Sequence, residues 1–299
     1  MVQPPFLRPG DTVSIVAPGR KLDEEVINTA VSILKSWGLN AITGHNLFST
    51  KHSYLSGTDA ERLVDLQHAL DDSSVRTIIC ARGGYGTTRI LDQLDFSGFL
   101  KNPKWICGFS DVTALHLKLQ SLNIQSIHST MPVMFLQKES ASSVESLRNL
   151  LFGNSGALTA EASAQNKLGD CSGKLIGGNL SLLTDSLGTS SEVNTDNCVL
   201  IIEEIGEYTY RLDRMLVQLK RAGKLKNLSG LIVGHMTDMK ESELPFGENV
   251  QQIILNHVRE YTYPVAFNFP VGHENPNLAW IEGAKGQLSV TDKESVLSF

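Results

Sequence analysis

Three side chains capable of acyl-transfer chemistry lie far apart in the sequence. Ser110 and Glu203 each follow directly on an apolar run, and His273 lies in a glycine-containing segment just past another one. A hydroxyl, an imidazole and a carboxylate are the groups that serine hydrolases use as nucleophile, general base and orienting acid. Each of these residue types is also common in purely structural positions, so each is interpreted in its own sequence context.

Ser110 stands at a predicted strand-to-helix junction within residues 108–112 (GFSDV). A tight turn of this kind exposes a hydroxyl, and the free N–H groups of the helix start can stabilise an oxyanion. The match to the G-x-S-x-G elbow is partial, because Val112 replaces the second glycine. Taken alone, the segment is more typical of a serine at a helix N-cap, with Asp111 favouring the helix start.

A glycine-rich turn, residues 82–86 (RGGYG), follows another apolar strand. Its glycines permit positive φ angles and close approach of a ligand, and a phosphate cradle is one use of such a turn. A nucleotide site is weakly supported, because the chain has neither G-x-x-x-x-G-K-[ST] nor a full G-x-G-x-x-G. A second oxyanion donor beside Ser110 fits better, since loops of neighbouring parallel strands share one edge of a sheet. A tight turn that simply requires glycine is the equal alternative.

The acid and the base each have a competitor in the sequence. Glu203 and Glu204 are adjacent, and two exposed charges at a strand end are the ordinary interpretation of such a pair. A carboxylate at the mouth of a buried strand can nevertheless be fixed in place and orient a histidine. His273 and His235 both lie just past apolar strands, where a general base can reach a hydroxyl on another element. No H-E-x-x-H or comparable metal motif is present.

The elements that must position these residues alternate between strand and helix in the first half of the chain. Apolar spacing predicts helices at 24–37, with Gly38 as a C-terminal cap, at 59–70, and from near Asp111 onward. Apolar runs predict strands at 12–17, 77–81 and 105–109. Repeated strand, turn and helix units indicate parallel strands covered by helices. We therefore expect an open, mostly parallel sheet with flanking helices.

The second half of the chain is more mixed. Apolar strands are predicted at 199–202 and 231–233, a helix at 210–219, and a hairpin of 286–291 with 295–299 around Asp292-Lys293. The 299 residues are enough for two modest domains. We expect an α/β domain over residues 1–136, a linker rich in small and polar residues over 137–170 with one helix-like segment at 144–151, and a smaller mixed α+β, partly barrel-like domain over 171–299.

Composition excludes several classes of protein. The net charge of −6 and the scattered basic residues argue against a nucleic-acid binder. The N-terminus does not have the pattern of a secretory signal, and no apolar run approaches the length of a membrane span. Cys80, Cys107, Cys171 and Cys198 are widely spaced, which suits neither a disulfide scaffold nor a zinc site. We therefore expect a cytoplasmic protein with no nucleic-acid or membrane partner.

Several blocks, taken together and in order, resemble the LD-carboxypeptidase family of serine peptidases, which includes peptidoglycan-recycling enzymes and microcin C self-immunity peptidases. The resemblance extends over nearly the whole chain. The blocks are residues 10–18 (GDTVSIVAP), 82–86 (RGGYG), 108–113 (GFSDVT), 177–180 (GGNL), 202–207 (IEEIGE), 210–214 (YRLDR) and 272–273 (GH).

The resemblance implies a Ser–Glu–His triad in that chain order, made of Ser110, Glu203 and His273. Glu203 matches the family's triad carboxylate as the first acidic residue after the strand, and His273 matches the late G-H histidine in preference to His235. The resemblance also implies that the backbone N–H groups of Gly84 and Asp111 form the oxyanion hole. It further places Tyr85 and Asn179 in blocks that line the substrate cleft.

The function implied by the resemblance is hydrolysis of the L,D-peptide bond that releases terminal D-alanine from cytoplasmic muropeptide tetrapeptides. It implies no metal or organic cofactor, and it implies a homodimer. One alternative is hydrolysis of a microcin C-type peptidyl or acyl nucleotide, for which Trp280 would be the aromatic platform nearest to His273. A second alternative is a non-catalytic ligand-binding homologue. A cysteine amidotransferase using Cys107 is disfavoured because Cys107 falls inside a strand.

Overall fold

The computed structural model describes residues 1–154 and 156–299. The strands are β1 (Thr12–Val16), β2 (Asn40–Thr43), β3 (Val75–Cys80), β4 (Trp105–Gly108), β5 (Ser126–His128), β6 (Ala157–Glu161), β7 (Gly169–Asn179), β8 (Cys198–Ile205), β9 (Gly230–Thr237), β10 (Val265–Ala266), β11 (Trp280–Glu282), β12 (Lys285–Val290) and β13 (Glu294–Ser298).

The helices lie between these strands. They are α1 (Glu24–Ser36), α2 (Asp59–Asp71), α3 (Thr88–Leu91), α4 (Ser97–Lys101), α5 (Thr113–Ser121), α6 (Ala141–Leu151), α7 (Leu180–Asp185), α8 (Thr209–Arg221) and α9 (Val250–Val258), with short 3₁₀ turns at Ser110–Val112 and Pro132–Met134. Within residues 1–154 and 156–299, none of the helices has both the length and the apolar character that a bilayer-spanning helix needs.

The strands form two sheets. The first has six strands in the order β11-β5-β4-β3-β1-β2, and the second has seven in the order β10-β9-β8-β7-β12-β13-β6. In the first sheet, β2, β1, β3, β4 and β5 pair in parallel and only β11 is antiparallel. In the second, β7 to β10 are parallel, whereas β6, β12 and β13 pair antiparallel. The predicted fold class is confirmed.

Helices cover both faces of the first sheet, as the apolar patterns predict. On one face, Val13 and Ile15 of β1 pack with α1 and α6, and on the other Val16 packs with α2 to α5. Strands buried on both faces read as nearly continuous apolar runs, which is why β1 was recognisable in the sequence. The helix predicted at 24–37 is confirmed as α1, and Gly38 follows its C-cap with φ +84°.

In the part of the chain that the structure describes, helices cover one face of the second sheet and not the other. Helices α7, α8 and α9 bury their apolar stripes there, while the opposite face packs around Phe269, Trp280 and the antiparallel strands. The predicted C-terminal hairpin is confirmed, since β12 and β13 pair antiparallel from Gln287 with Ser298 to Val290 with Ser295.

The segment predicted as a linker, residues 137–170, carries regular structure. Helix α6 buries Leu147, Leu150 and Leu151 in the core of the first sheet, and β6 pairs with β13 at the edge of the second. The helix-like segment predicted at 144–151 is confirmed as part of α6, whereas β6 was not predicted, because its two buried positions stand among small and polar residues. Residue 155, within the same segment, lies outside the described residues. The domain boundaries at 136 and 171 stay a prediction.

The two sheets are joined by more than the connecting segment. Strand β11, from the C-terminal half, pairs with β5 of the first sheet, with Trp280 opposite His128 and Glu282 opposite Ser126. Trp280 is fully buried and its ring stacks on that of His128 at a centroid distance of 5.3 Å. The chain thus returns to the first sheet immediately after the segment that carries His273.

Candidate active site

Ser110 follows β4 in a strained backbone conformation. Its φ is +64°, in the left-handed region that residues with a side chain seldom adopt. Residues in such strained conformations cluster at functional sites. Gly108, two residues earlier, has φ +155°, and a Cβ there would lie 2.9 Å from the side chain of Val112. The first glycine of the partial elbow motif is therefore required by both backbone conformation and space. The serine makes no N-cap hydrogen bond. The helix-cap interpretation of Ser110 is therefore wrong.

The hydroxyl of Ser110 is directed towards the second sheet. Its Oγ lies 3.0 Å from Nε2 of His273, and Nδ1 of His273 lies 2.6 Å from Oε2 of Glu203. With the proton on Nδ1, the imidazole donates to the carboxylate and accepts from the hydroxyl. The side chains brought together from residues 110, 203 and 273 have the connectivity of a nucleophile, a base and an orienting acid.

Burial and backbone geometry fix the acid and the base. Glu203 lies in β8 with no exposed surface, and the His273 side chain is 13% exposed. Gly272 has φ +122°, and a Cβ there would come within 2.9 Å of the Cβ of Glu203. Only glycine therefore permits the backbone before His273 to pass this close to β8. The Phe109 ring packs against the imidazole at a centroid distance of 4.8 Å.

The electrostatic environment favours a charged imidazole. Burial alone lowers the pKa of His273, but the charge and the hydrogen bond of Glu203, with a further contribution from Glu204, outweigh burial and raise the pKa above its ordinary value of 6.5. A base that gains a proton during the reaction is stabilised by this arrangement.

Glu204, the competing acid, is oriented away from His273. Its carboxylate accepts hydrogen bonds from Asn179 Nδ2 at 2.9 Å, from the N–H and hydroxyl of Ser181 at 2.8 and 2.7 Å, and from the N–H of Ile205 at 2.9 Å. Burial raises the pKa of Glu204 despite these bonds. Glu204 therefore ties β8 to the start of α7.

His235, the competing base, makes a different contact. Its Nδ1 accepts from the N–H of Glu274 at 3.2 Å, and burial lowers its pKa. It lines a cavity of about 500 Å³ together with Asn268 and Glu274. The structure thus brings His273, and not His235, to the serine.

The glycine turn at 82–86 lies directly beside the serine. A Cβ on Gly83 would come within 3.0 Å of the Cβ of Ser110 and 3.3 Å of the Asp111 nitrogen. Gly84 and Gly86 have φ of +104° and +134°. In the described part of the chain, the Gly84 N–H donates to no backbone or side-chain acceptor. The turn predicted to supply an oxyanion donor is adjacent to the hydroxyl.

Two buried charged side chains hold this turn. Oδ2 of the Asp111 carboxylate accepts from Thr87 N at 3.0 Å and from Thr87 Oγ1 at 2.7 Å. On the other side, Nη1 of Arg62 donates to the carbonyl of Gly86 at 2.9 Å and to that of Pro18. Sequence reasoning assigned Asp111 a place at the helix start and a backbone oxyanion donor, and it missed Arg62, whose position inside an amphipathic helix gave no signal.

The two residues predicted to contact substrate lie in different environments. Tyr85 is 51% exposed and lines a cleft of about 580 Å³ that includes Gly84, Asp111 and residues of α8. Asn179 is 4% exposed, and its carboxamide donates to Glu204 and accepts from the Leu182 N–H as the N-cap of α7. Its contact with substrate stays a prediction.

Comparison with known proteins supports the family resemblance. Residues 13–129 match the model of the LD-carboxypeptidase N-terminal domain, and residues 172–288 match that of the C-terminal domain. The chain belongs to the LD-carboxypeptidase family. Curated relatives in the family include a probable murein peptide carboxypeptidase from Bacillus subtilis, 34% identical over 99% of this chain and 94% of that protein. The murein tetrapeptide carboxypeptidase of Pseudomonas aeruginosa is 28% identical over 92% of each.

Solved structures give the same family fold. The muramoyltetrapeptide carboxypeptidase of Oxalobacter formigenes superimposes with a TM-score of 0.86 at 27% identity, covering 96% of this chain and 98% of that one. The microcin C7 self-immunity protein MccF has a TM-score of 0.85 over 99% of this chain and 98% of its own, at 19% identity, a likeness of fold alone.

Proposed function

We propose that this protein is a serine carboxypeptidase that hydrolyses the L,D-peptide bond before the terminal D-alanine of muropeptide tetrapeptides. The observation that carries the proposal is the continuous hydrogen-bonded path from Ser110 through His273 to Glu203. Membership of a carboxypeptidase family and the names of the murein peptide relatives support the substrate class.

In the proposed mechanism Ser110 Oγ attacks the carbonyl carbon of the scissile bond while its proton passes to Nε2 of His273. Glu203 accepts the Nδ1–H bond, which holds the ring in the required tautomer and stabilises the imidazolium. The tetrahedral intermediate then collapses. Its C–N bond breaks, the leaving amine takes the proton from Nε2, and an acyl-enzyme remains on Ser110. Water, deprotonated by His273, attacks the ester and releases the shortened peptide.

The proposed oxyanion hole consists of the backbone N–H groups of Gly84 and Asp111. Two observations support this assignment: the glycine turn is close to Ser110, and the Gly84 N–H has no acceptor among residues 1–154 and 156–299. Fixed donors directed at the developing negative charge each lower the barrier by roughly 3 kcal/mol in related chemistry.

The test of the proposed function is mass spectrometry of a murein tetrapeptide incubated with the purified protein. We expect release of D-alanine by the wild type and none by Ser110→Ala, because the variant lacks the attacking oxygen while keeping the neighbouring contacts. Ser129→Ala, at a buried serine outside the triad, serves as the matched control. Equal turnover by Ser110→Ala and wild type would refute the nucleophile.

Hydrolysis of a microcin C-type nucleotide is the second candidate, since MccF shares the fold. The aromatic platform suggested by the sequence is not accessible, because Trp280 is fully buried against His128. Cys107 is likewise buried inside β4, and burial raises the pKa of its thiol well above the usual range, which removes the amidotransferase alternative. Faster turnover of an aminoacyl-sulfamoyl nucleotide than of the tetrapeptide would favour the second candidate.

The proposal also includes the cellular location and the oligomeric state of the protein. A substrate formed during cell-wall recycling would be met in the cytoplasm, and a homodimer follows from the family resemblance. Sedimentation of the purified protein checks the dimer, and fractionation of the producing cell checks the location.

A further inference from the structure

The cleft of about 580 Å³ beside the nucleophile has one basic wall. It extends from the glycine turn, at Gly84 and Tyr85, to the exposed side of α8, which contributes Arg211 and Arg214. The residue leaving a carboxypeptidase carries a free carboxylate, which needs a cation or N–H donors close to the scissile bond. The cleft therefore offers a charge of the required sign next to the proposed oxyanion donors.

The two arginines differ in their ion pairing. The Nε of Arg211 lies 3.1 Å from Oε2 of Glu207, so its charge is paired within α8 and the segment before it. In the described residues no carboxylate lies within 4.0 Å of the Arg214 guanidinium, and neither arginine pairs with Asp185, which also lines the cleft. Arg214 is thus the unpaired cation of this wall in the part of the chain that the structure describes.

Stacking orients the Arg214 side chain. Its guanidinium carbon lies 5.5 Å from the centroid of the Tyr210 ring, one helical turn away. A guanidinium that stacks through its face keeps its N–H edges free for a planar acceptor, and its fork matches the two oxygens of a carboxylate. The other acid of the wall, Asp111, already accepts from Thr87 and so does not compete.

We propose that Arg214 binds the C-terminal carboxylate of the residue that the enzyme removes, which makes it a determinant of carboxypeptidase specificity. The inference rests on the proposed function. Arg211, neutralised by Glu207, adds less to this recognition.

The experiment measures kcat/KM for two tetrapeptides that end in D-alanine, one with a free carboxylate and one with a C-terminal amide. It compares the wild type with Arg214→Gln and Arg214→Lys. Arg221→Gln removes an equal charge from the same helix outside the cleft and is the matched control. Thermal unfolding of each variant verifies that it is folded.

We expect the wild type to prefer the free acid, and Arg214→Gln to lose roughly 10-fold to 100-fold on the acid with little change on the amide, the effect of one charge-assisted hydrogen bond. Arg214→Lys should recover part of the preference, and Arg221→Gln should match the wild type. An unchanged acid-to-amide ratio in Arg214→Gln, or an equal loss on both peptides, would overturn the inference and leave the proposed function standing. Absence of wild-type hydrolysis of either peptide would overturn both.

Discussion

At the scale of single residues, the choice between Glu203 and Glu204 follows from strand geometry. Successive side chains of a β-strand point to opposite faces, so two adjacent glutamates in β8 cannot both meet the same histidine. Glu203 faces His273, and Glu204 faces the start of α7, where it accepts from Asn179 and Ser181. Glu203 is therefore available for the proposed catalysis, whereas Glu204 holds the backbone at the start of α7.

The pH dependence of catalysis tests the role of Glu203. The imidazole of His273 accepts a proton only when neutral, so kcat/KM should rise with pH, with a midpoint above 6.5 because the pKa of His273 is raised. In Glu203→Gln the charge partner is lost while burial remains, so the midpoint should move to lower pH. The plateau rate should fall by about 10⁴-fold, as when an orienting carboxylate is replaced elsewhere. Rate profiles over pH measure both effects.

Glu204→Gln is the matched control for this experiment. Glu204 contributes less to the pKa of His273 than Glu203 does, so the midpoint of this variant should move less and its rate should stay closer to that of the wild type. A larger loss in Glu204→Gln than in Glu203→Gln would show that the acid is assigned to the wrong residue.

At the scale of elements, the glycine turn depends on two neighbouring helical segments for its position. Asp111, in the 3₁₀ turn that begins at Ser110, accepts from Thr87, and Arg62 of α2 donates to Gly86. These contacts connect the proposed oxyanion donor to the element that carries the nucleophile. A displacement of the turn would therefore separate two groups that act on the same carbonyl in the proposed mechanism.

Asp111→Asn tests this connection. The N–H and the hydroxyl of Thr87 both donate to Oδ2 of Asp111. A neutral amide oxygen in that place is a weaker acceptor than a carboxylate oxygen, so Asp111→Asn holds the turn less firmly. We expect kcat to fall by about 100-fold, the usual cost of a misplacement near 1 Å, while KM changes little. Thr87→Val, which removes only the 2.7 Å hydroxyl bond, should lose less. Full kcat in a folded Asp111→Asn enzyme would contradict the proposed positioning role.

At the scale of the whole molecule, the candidate site depends on the position of the two sheets relative to each other. Ser110 follows a strand of the first sheet, whereas Glu203 and the segment of His273 belong with the second. Strand β11 pairs with β5, and the stacked rings of Trp280 and His128 fill the junction. Opening of that junction would separate the hydroxyl from its base.

A buried carboxyl at the same junction makes stability depend on pH. Glu282 is 3% exposed, and burial raises its pKa well above 4.5, although the N–H of Gly177 and the charge of Lys174 lower it. The folded protein therefore keeps a proton that the unfolded chain releases. Its contribution to stability is fully present below the ordinary glutamate pKa and is lost as the pH rises towards the folded-state pKa.

Glu282→Gln should flatten that dependence, because glutamine does not titrate. As the pH rises above about 5, the free energy of unfolding of the wild type should decline more steeply than that of the variant, by up to ~1.4 kcal/mol per pH unit. Denaturant unfolding at several pH values gives the two slopes, with the exposed Glu294→Gln as control. Parallel slopes for Glu282→Gln and the wild type would contradict this account.

The local elements were predictable because their apolar residues recur with the period of the element. Helix α1, strands such as β1 and the C-terminal hairpin all have this signal. Strands β6 and β11 were missed, since a short strand carries few alternating positions and its partner lies far away in the sequence. The absence of β6 from the linker predicted over residues 137–170 reflects that lack of local information.

The sequence by itself determined the fold class, the order of the motif blocks and a short set of candidate residues, because periodicity and motif spacing are local properties. The family resemblance favoured Glu203 over Glu204 and His273 over His235, and the tertiary structure decided which of these groups meet and that Ser110 faces an imidazole instead of capping a helix. Which candidate residues come into contact depends on the face of the strand that carries them and on the loop of the other sheet that packs against that face. Distances between residues 163 positions apart arise only when the chain is packed.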